Sequence, residues 1–336
     1  MAYMIMACFI YIHFHPPPPS KKPRKFLEEN GGLTYNPQKT SPQKMSEYKV
    51  AIPSYQRSDI IGQKTLHTLI QGKVPLEKIH IFVANDTEKA LYISKIKEQY
   101  PHYPLKNIHV GVLGITPQRQ FISHFFPKNT PIVSLDDDVE QVYQLSSYRP
   151  FSSKHSSQSS KTLKTQQRNK TQRKTTPKKE SNRLVKLTNL DQFFQKSFEY
   201  TLQQNLHIWG VYPVNNPFFM QPKTTTDLRF LIGGFYGYIN RPTAPELKVT
   251  VPIKEDYENT ILHYIHDGGV VRFNGVSYKS KNYSPGGLEK AETRIESNRK
   301  ASEMLLKRYP AYVSKRPTRA NGVVEIALIK NPTPNP

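Results

Sequence analysis

Apolar residues fall in short clusters separated by polar punctuation. Positions 49–52 (KVAI), 79–84 (IHIFVA), 108–113 and 131–135 (PIVSL) are short runs rich in β-branched and aromatic side chains, which predicts strands. Between them, the pattern over 66–70, 88–100 and 117–125 predicts helices. Strands alternating with helices imply βαβ units, hence an α/β fold with a mainly parallel, Rossmann-like sheet flanked by helices. The second half is less regular. It predicts helices over 190–206, 257–265 and 289–309 and strands over 208–214 and 230–239, the last broken by Gly233, Gly234 and Gly237. In the 257–265 helix, Tyr257, Ile261, Leu262 and Ile265 share one apolar face.

Composition divides the chain. Of 336 residues, 36% are hydrophobic, enough for a core but low for a chain packed throughout. Residues 16–44, with four consecutive prolines, and residues 151–187, rich in Ser, Thr, Gln and Lys, hold too few large apolar side chains to offset chain entropy. The expectation is one domain over 45–320, interrupted by a disordered basic insertion at 151–187 and followed by a tail at 321–336. Residues 1–44 read as a disordered extension or as sequence ahead of a true start near Met45. The apolar stretch 3–14 imitates a short signal peptide but lacks a basic leader and a small-residue cleavage site. No run of 18 apolar residues predicts a membrane span. The single cysteine, Cys8, excludes a disulfide framework and a cysteine-based zinc site. These features point to an intracellular protein, nuclear or cytoplasmic.

The net charge is +22, and the excess is carried by 20–44, 151–187 and 272–319. A basic tail can be a mere solubilising tail. The density of charge in 151–187 favours loose, salt-sensitive attraction to a polyanion.

Three successive predicted strands end in polar clusters: Pro53-Ser54-Tyr55-Gln56-Arg57, Asn85-Asp86 and Asp136-Asp137-Asp138. Ligands of open α/β sheets bind beyond the carboxyl ends of the strands. Three adjacent carboxylates repel one another unless a cation is near. A hard divalent metal, held by Asp136 and Asp138 together with substrate phosphates, answers that repulsion. The competing reading is an exposed acidic turn. Glu255-Asp256 opens the 257–265 helix, where the helix dipole alone favours acids; the functional reading is a general base. His263 and His266 read as packed or surface histidines before a metal pair, and Gly286-Gly287 is too short for a phosphate loop.

Val50 to Arg57 resembles the opening strand of family-2-type GT-A glycosyltransferases. Phe82-Val83-Ala84-Asn85-Asp86 resembles their second strand, Leu135-Asp136-Asp137-Asp138 their DXD motif and Lys254-Glu255-Asp256 their ED motif. Phe235 to Arg241, Glu255-Asp256-Tyr257-Glu258 and Tyr283-Ser284-Pro285-Gly286-Gly287 with Arg294 further resemble the TET/JBP-associated, base J glucosyltransferase-like group. The resemblance implies a GT-A fold and a nucleotide-sugar donor such as UDP-glucose, with Mn²⁺ or Mg²⁺. The implied acceptor is a hydroxymethylated pyrimidine in DNA. Pro53, Ser54, Tyr55 and Arg57 would line the nucleotide pocket, and Asp86 would reach the base. Arg119 would lie near the nucleotide or sugar. Asp136 and Asp138 would hold metal and donor, and Asp256 would act as base supported by Glu255. Lys279, Lys281, Tyr283 and Arg294 would meet the diphosphate or acceptor strand, or form a solvated face. Tyr236, Tyr238 and Tyr283 would stack on a base, or simply pack. The alternatives are a GT-A enzyme acting on protein or glycan, a non-catalytic nucleic-acid-binding protein, and a nucleotidyltransferase or nuclease.

Overall fold

A computed structural model describes residues 47–151, 183–280, 291–318, 324–330 and 332, with backbone alone over 291–294. The extension 1–44, nearly all of the 151–187 insertion, Cys8, Lys281, Tyr283 and the Arg294 side chain lie outside the described residues. The described residues belong to one compact unit spanning 44–336. Among them, no helix is long and apolar enough to cross a membrane.

The first half follows the apolar runs. β1 (Lys49–Pro53) leads to α1 (Ser58–Ile61), a π-helical turn (Gly62–Leu66) and α2 (His67–Gln71). β2 (Ile79–Val83), α3 (Asp86–Gln99), β3 (Ile108–Val110), α4 (Ile115–Phe125) and β4 (Pro131–Leu135) follow. β2 is buried at every position, as a strand covered on both faces must be. β5 (Val139–Leu145), β6 (Leu184–Lys186), α5 (Leu190–Gln203), β7 (Ile208–Val211), β8 (Thr224–Thr225) and β9 (Phe235–Ile239) come next. The chain continues through α6 (Glu255–Asp267), β10 (Val271–Phe273), β11 (Val276–Ser280), α7 (Ala291–Arg308), β12 (Val313–Lys315) and β13 (Ile326–Leu328).

The main sheet has the order β3-β2-β1-β4-β9-β7-β10-β8, with β9 and β8 running against the others. The chain builds outward from β1 through β2 to β3, then returns to place β4 on the other flank of β1. That reversal opens a crevice at the carboxyl ends of β1 and β4. Because β9 is antiparallel to β4, it starts at this same edge, Phe235 facing Leu135.

Both faces are covered. α5 buries Leu190, Phe193, Phe194, Ser197, Phe198 and Thr201, the i, i+3, i+4 stripe of an amphipathic helix, around Trp209. On the opposite face Ile122 and Phe126 of α4 and its end pack on Phe82 and Ile132. A small sheet, β11-β5-β6, adds to the first core.

Several expectations are corrected. The 230–239 strand begins only at Phe235, and the 108–113 and 208–214 strands stop at Val110 and Val211. The 257–265 helix starts two residues earlier, so Glu255 and Asp256 form its first turn. Its buried positions include Glu258, Thr260, Ile261 and His263, whereas Ile265 is 49% exposed. The cause is a partner invisible in local periodicity: Leu305, Val313 and Ile326 pack on Val251 and Ile261. The carboxylate of Glu258 accepts from Thr250 N at 2.6 Å, Val251 N at 2.9 Å, Arg308 Nη1 at 2.6 Å and the Tyr309 hydroxyl at 2.9 Å.

Candidate active site

The chain leaves β4 at Leu135 and turns through the three aspartates before β5. The turn separates them. Asp137 points inward: its Oδ2 accepts from Ser54 Oγ at 2.6 Å and its Oδ1 from Arg57 Nη1 at 2.7 Å. Tyr92 braces this pair, its hydroxyl lying 2.7 Å from Ser54 Oγ and accepting from Arg57 N at 3.0 Å. The π-helical turn supplies Thr65, whose hydroxyl donates to Asp136 O at 2.7 Å and accepts from Val139 N at 2.8 Å. One hydroxyl thus pins both ends of the acidic turn. Asp136 and Asp138 are left facing a cleft, as strand alternation predicts, although a turn and not a strand puts them there.

The cleft holds about 220 Å³ and is lined by Arg119, Asp136, Asp138, Gly233, Glu255 and Asp256, with Tyr278 and Ser280 closing it from β11. Arg119 ties the two acid groups together. Its Nη1 pairs with Glu255, and its Nη2 reaches Asp136 Oδ1 at 3.2 Å and Gly233 O at 2.7 Å. Burial alone would lower its pKa, but the neighbouring Tyr236, Glu255, Asp136 and Asp256 outweigh that and raise it. It is a fixed cation.

Gly233 and Gly234 form the cleft floor as bare main chain. A Cβ on Gly233 would lie 2.8 Å from Arg119 Nη1, and one on Gly234 would collide with the Tyr278 hydroxyl and sit 2.9 Å from Asp136 Oδ2.

The electrostatics divide by acid. Burial, then Asp136 and Asp137, push the Asp138 carboxyl up to about 6. Arg57, 3.7 Å away, offsets only part of that. The unbalanced negative charge fits a divalent cation. Among the described residues no cluster of three or more His, Cys, Asp or Glu forms a metal cage. A cation on Asp136 and Asp138 would complete its shell with water or substrate phosphate. Asp256, also in the lining, accepts from Gly233 N at 3.3 Å and Tyr257 N at 3.0 Å. Burial, then the charge of Glu255, push it up to about 7, where a carboxylate works as a base near neutral pH.

The structure thus gathers Arg119, Asp136, Asp138, Glu255 and Asp256 around one hollow. Pro53, Ser54, Tyr55, Arg57 and Asp86 stand outside its wall. Ser54 and Arg57 spend their polar groups on Asp137, Tyr55 is half-buried beside Gln56, and Asp86 is exposed at the first turn of α3, next to the capping Asn85. Lys279 pairs with Glu140 at 3.1 Å. His263 Nδ1 bonds Asn259 O at 2.9 Å, and His266 lies 3.4 Å from Glu246, the packing reading of these histidines. Sequence reasoning missed Thr65, Tyr92 and Tyr278. The glycine pair was visible only as a break in a strand.

No protein-family model and no curated protein sequence matches the chain. Among solved structures, S. aureus TarS 1–349 in complex with UDP-GlcNAc aligns with a TM-score of 0.43 at 14% identity, covering 77% of this chain and 66% of that one. TarS 1–349 alone aligns with a TM-score of 0.43 at 11% identity, and this chain spans 65% of its length. Glucosyl-3-phosphoglycerate synthase from Mycobacterium tuberculosis, with Mn²⁺, UDP and glucosyl-3-phosphoglycerate, aligns with a TM-score of 0.40 at 11% identity, covering 80% of this chain and 84% of that one.

Proposed function

We propose that the chain is a metal-dependent, inverting glycosyltransferase of GT-A architecture. The observation that carries this reading is that Asp138 and Asp256, from distant parts of the sequence, line the same small cleft. The family-2-like motifs at Val50–Arg57, Asp136–Asp138 and Glu255–Asp256 agree with it.

Asp136 and Asp138 would hold Mn²⁺ or Mg²⁺ together with the diphosphate of a sugar nucleotide such as UDP-glucose, which offsets charge on the departing nucleoside diphosphate. Arg119 fixes Glu255 and Asp136 relative to each other. Asp256 takes the proton of the acceptor hydroxyl as its oxygen bonds to the anomeric carbon. The bond from that carbon to the diphosphate breaks on the opposite side, and configuration inverts. Ser54, Arg57 and Thr65 act from behind by setting the acidic turn. The strong positive charge favours DNA as the bearer of the acceptor, here a hydroxymethylated pyrimidine presented single-stranded or flipped, which suits a nuclear or cytoplasmic enzyme.

A screen of nucleotide release from several sugar nucleotides, each with Mn²⁺ or Mg²⁺, tests the class. Metal-dependent release from at least one donor is expected; none from any donor overturns the reading. Asp138→Ala is expected to weaken Mn²⁺-dependent donor binding by at least about tenfold, the loss of one charge-assisted contact, by calorimetry with and without the ion. Equal binding with and without Mn²⁺ in the unaltered protein would remove the metal role.

The pH profile follows from Asp256. Its ionised form is the base, and its pKa is raised to about 7. Hence kcat/KM should climb about tenfold per pH unit below that value and level off above it. Glu255→Gln removes the like charge, so the climb should move to lower pH. A profile flat from pH 5 to 8 would contradict this assignment.

A further inference from the structure

The acidic cleft is rich in hydrogen-bond acceptors and poor in donors. Its lining carries the carboxylates of Asp136, Asp138, Glu255 and Asp256, and among its side chains only those of Arg119, Tyr278 and Ser280 always carry a proton to donate. Arg119 spends its terminal nitrogens on Glu255, Asp136 and Gly233 O. Ser280 is the last residue of β11, whereas Tyr278 sits at the centre of that strand.

β11 fixes where the tyrosine points. Tyr278 pairs with Val142 of β5, and its ring packs edge-on to Phe235, with 5.9 Å between centroids and 76° between planes. The residue is only 9% exposed, yet it lines the cleft. Its hydroxyl and Asp136 Oδ2 crowd the same point above the Gly234 main chain, since a Cβ placed there would collide with the first and lie 2.9 Å from the second. The hydroxyl therefore stands beside a carboxylate that the proposed function gives to the metal and the diphosphate. Among the described residues it has no hydrogen-bond partner. A phenol is protonated at neutral pH. Burial, then Asp136, Asp138 and Asp256, raise the Tyr278 pKa further. It is a fixed, uncharged donor with no acceptor in the chain.

The chemistry of the cleft selects the ligand atom it serves. A sugar hydroxyl both donates and accepts, so the carboxylates of the lining can satisfy it. Phosphoryl oxygens only accept, and where donors are few the free one belongs to them. A lysine or arginine at this place would pair with Asp136 and compete with the metal. A phenol leaves the carboxylates to the cation.

We propose that Tyr278 is a catalytic residue whose hydroxyl donates to the diphosphate oxygen that leaves the anomeric carbon. This rests on the glycosyltransferase reading and adds a residue to its machinery. As the bond between that carbon and that oxygen breaks, its electron pair stays on the oxygen. The growing negative charge strengthens the hydrogen bond from Tyr278. The proton itself remains on the tyrosine, a far weaker acid than a nucleoside diphosphate. The bond is thus stronger to a free nucleoside diphosphate, where this oxygen is charged, than to a sugar nucleotide, where it is esterified.

That difference is the test. Tyr278→Phe, made in the full chain, removes the hydroxyl and keeps the ring on Phe235, so thermal melts of the two proteins should coincide. By calorimetry with Mn²⁺, UDP is expected to bind the variant about tenfold more weakly, the loss of one hydrogen bond to a charged group, while UDP-glucose binding stays within about threefold. If the screen prefers another donor, that sugar nucleotide and its own nucleoside diphosphate replace this pair. Single-turnover transfer at saturating substrates should fall about tenfold or more, short of the 10²–10³ for a sole oxyanion donor because the cation shares the charge. Unchanged UDP binding overturns the assignment. So does equal weakening of both ligands, which marks a merely structural role, or weakening of the sugar nucleotide alone, which marks a contact to the sugar. If the unaltered protein releases no nucleotide from any donor, the glycosyltransferase reading itself has failed and this assignment falls with it; an unaltered protein that transfers sugar no faster than Tyr278→Phe sinks Tyr278 alone.

Discussion

Asp256→Asn is expected to lower sugar transfer by about 10²–10⁴-fold, the range for removing a positioned general base, and to leave sugar-nucleotide binding within twofold. Gly233 N and Tyr257 N donate to different oxygens of the carboxylate, so the amide, which keeps the shape of the side chain but has one acceptor oxygen, keeps one of these two bonds; with the oxygen on the Tyr257 side the helix start should survive. What is lost is the ability to take a proton. An uncharged alcohol is a poor nucleophile, and the cleft offers few substitutes. Glu255 is occupied by Arg119, and the proposed function commits Asp136 and Asp138 to the metal and the diphosphate. Single-turnover kinetics at pH 8, above the raised pKa, gives the cleanest comparison. Transfer within tenfold of the unaltered protein would assign the base elsewhere.

The second large effect is on stability. Glu258 is fully buried yet charged, and it is the node joining α6 to the C-terminal helix. Removing it by Glu258→Ala takes the acceptor from two main-chain N–H groups and from the Thr250 and Tyr309 hydroxyls, and leaves Arg308 with Thr250 Oγ1 but no carboxylate. Arg308 is 41% exposed and can rehydrate, so the loss falls at the low end for a broken buried pair, about 3 kcal/mol. For a domain of this size that is a drop of about 6–12 °C in Tm. Although burial alone would raise it, the hydrogen bonds from Thr250 and Val251 with Tyr309 and Arg308 prevail and hold the Glu258 pKa below its ordinary value. A depressed carboxylate pKa contributes stability above the unfolded value of about 4.3, and that contribution is lost as pH falls through the lower folded value. The gap in Tm between the two proteins should be full at pH 7 and should narrow below pH 4. A gap independent of pH would mean that lost packing, not the carboxylate, causes the destabilisation.

The parts of the fold legible in the sequence are those in which burial is local. β1, β2 and β4 are covered on both faces, so their apolar runs stand out without knowledge of neighbours. β5 escaped because its buried positions, Val139, Val142 and Leu145, recur every third residue, which alternation cannot reveal. Periodicity puts Ile265 on the apolar face of α6 and gives no sign that Glu258 is buried, because the C-terminal helix whose Arg308 meets Glu258 lies fifty residues further on. In the site, paired acids at the end of an apolar strand and at the start of a helix are conspicuous on grounds of repulsion and desolvation alone. Thr65 and Tyr92 carry no such signal: a hydroxyl finds its partner only once the backbone is in place.

Main chain, not side chain, paves the floor at Gly233 and Gly234, with no room there for even one added methyl. That surface is closed to variation. Under the function proposed above, any retuning of sugar preference, by evolution or by engineering, has to work through the other side chains of the lining, Ile115, Ile232 and Ser280 among them.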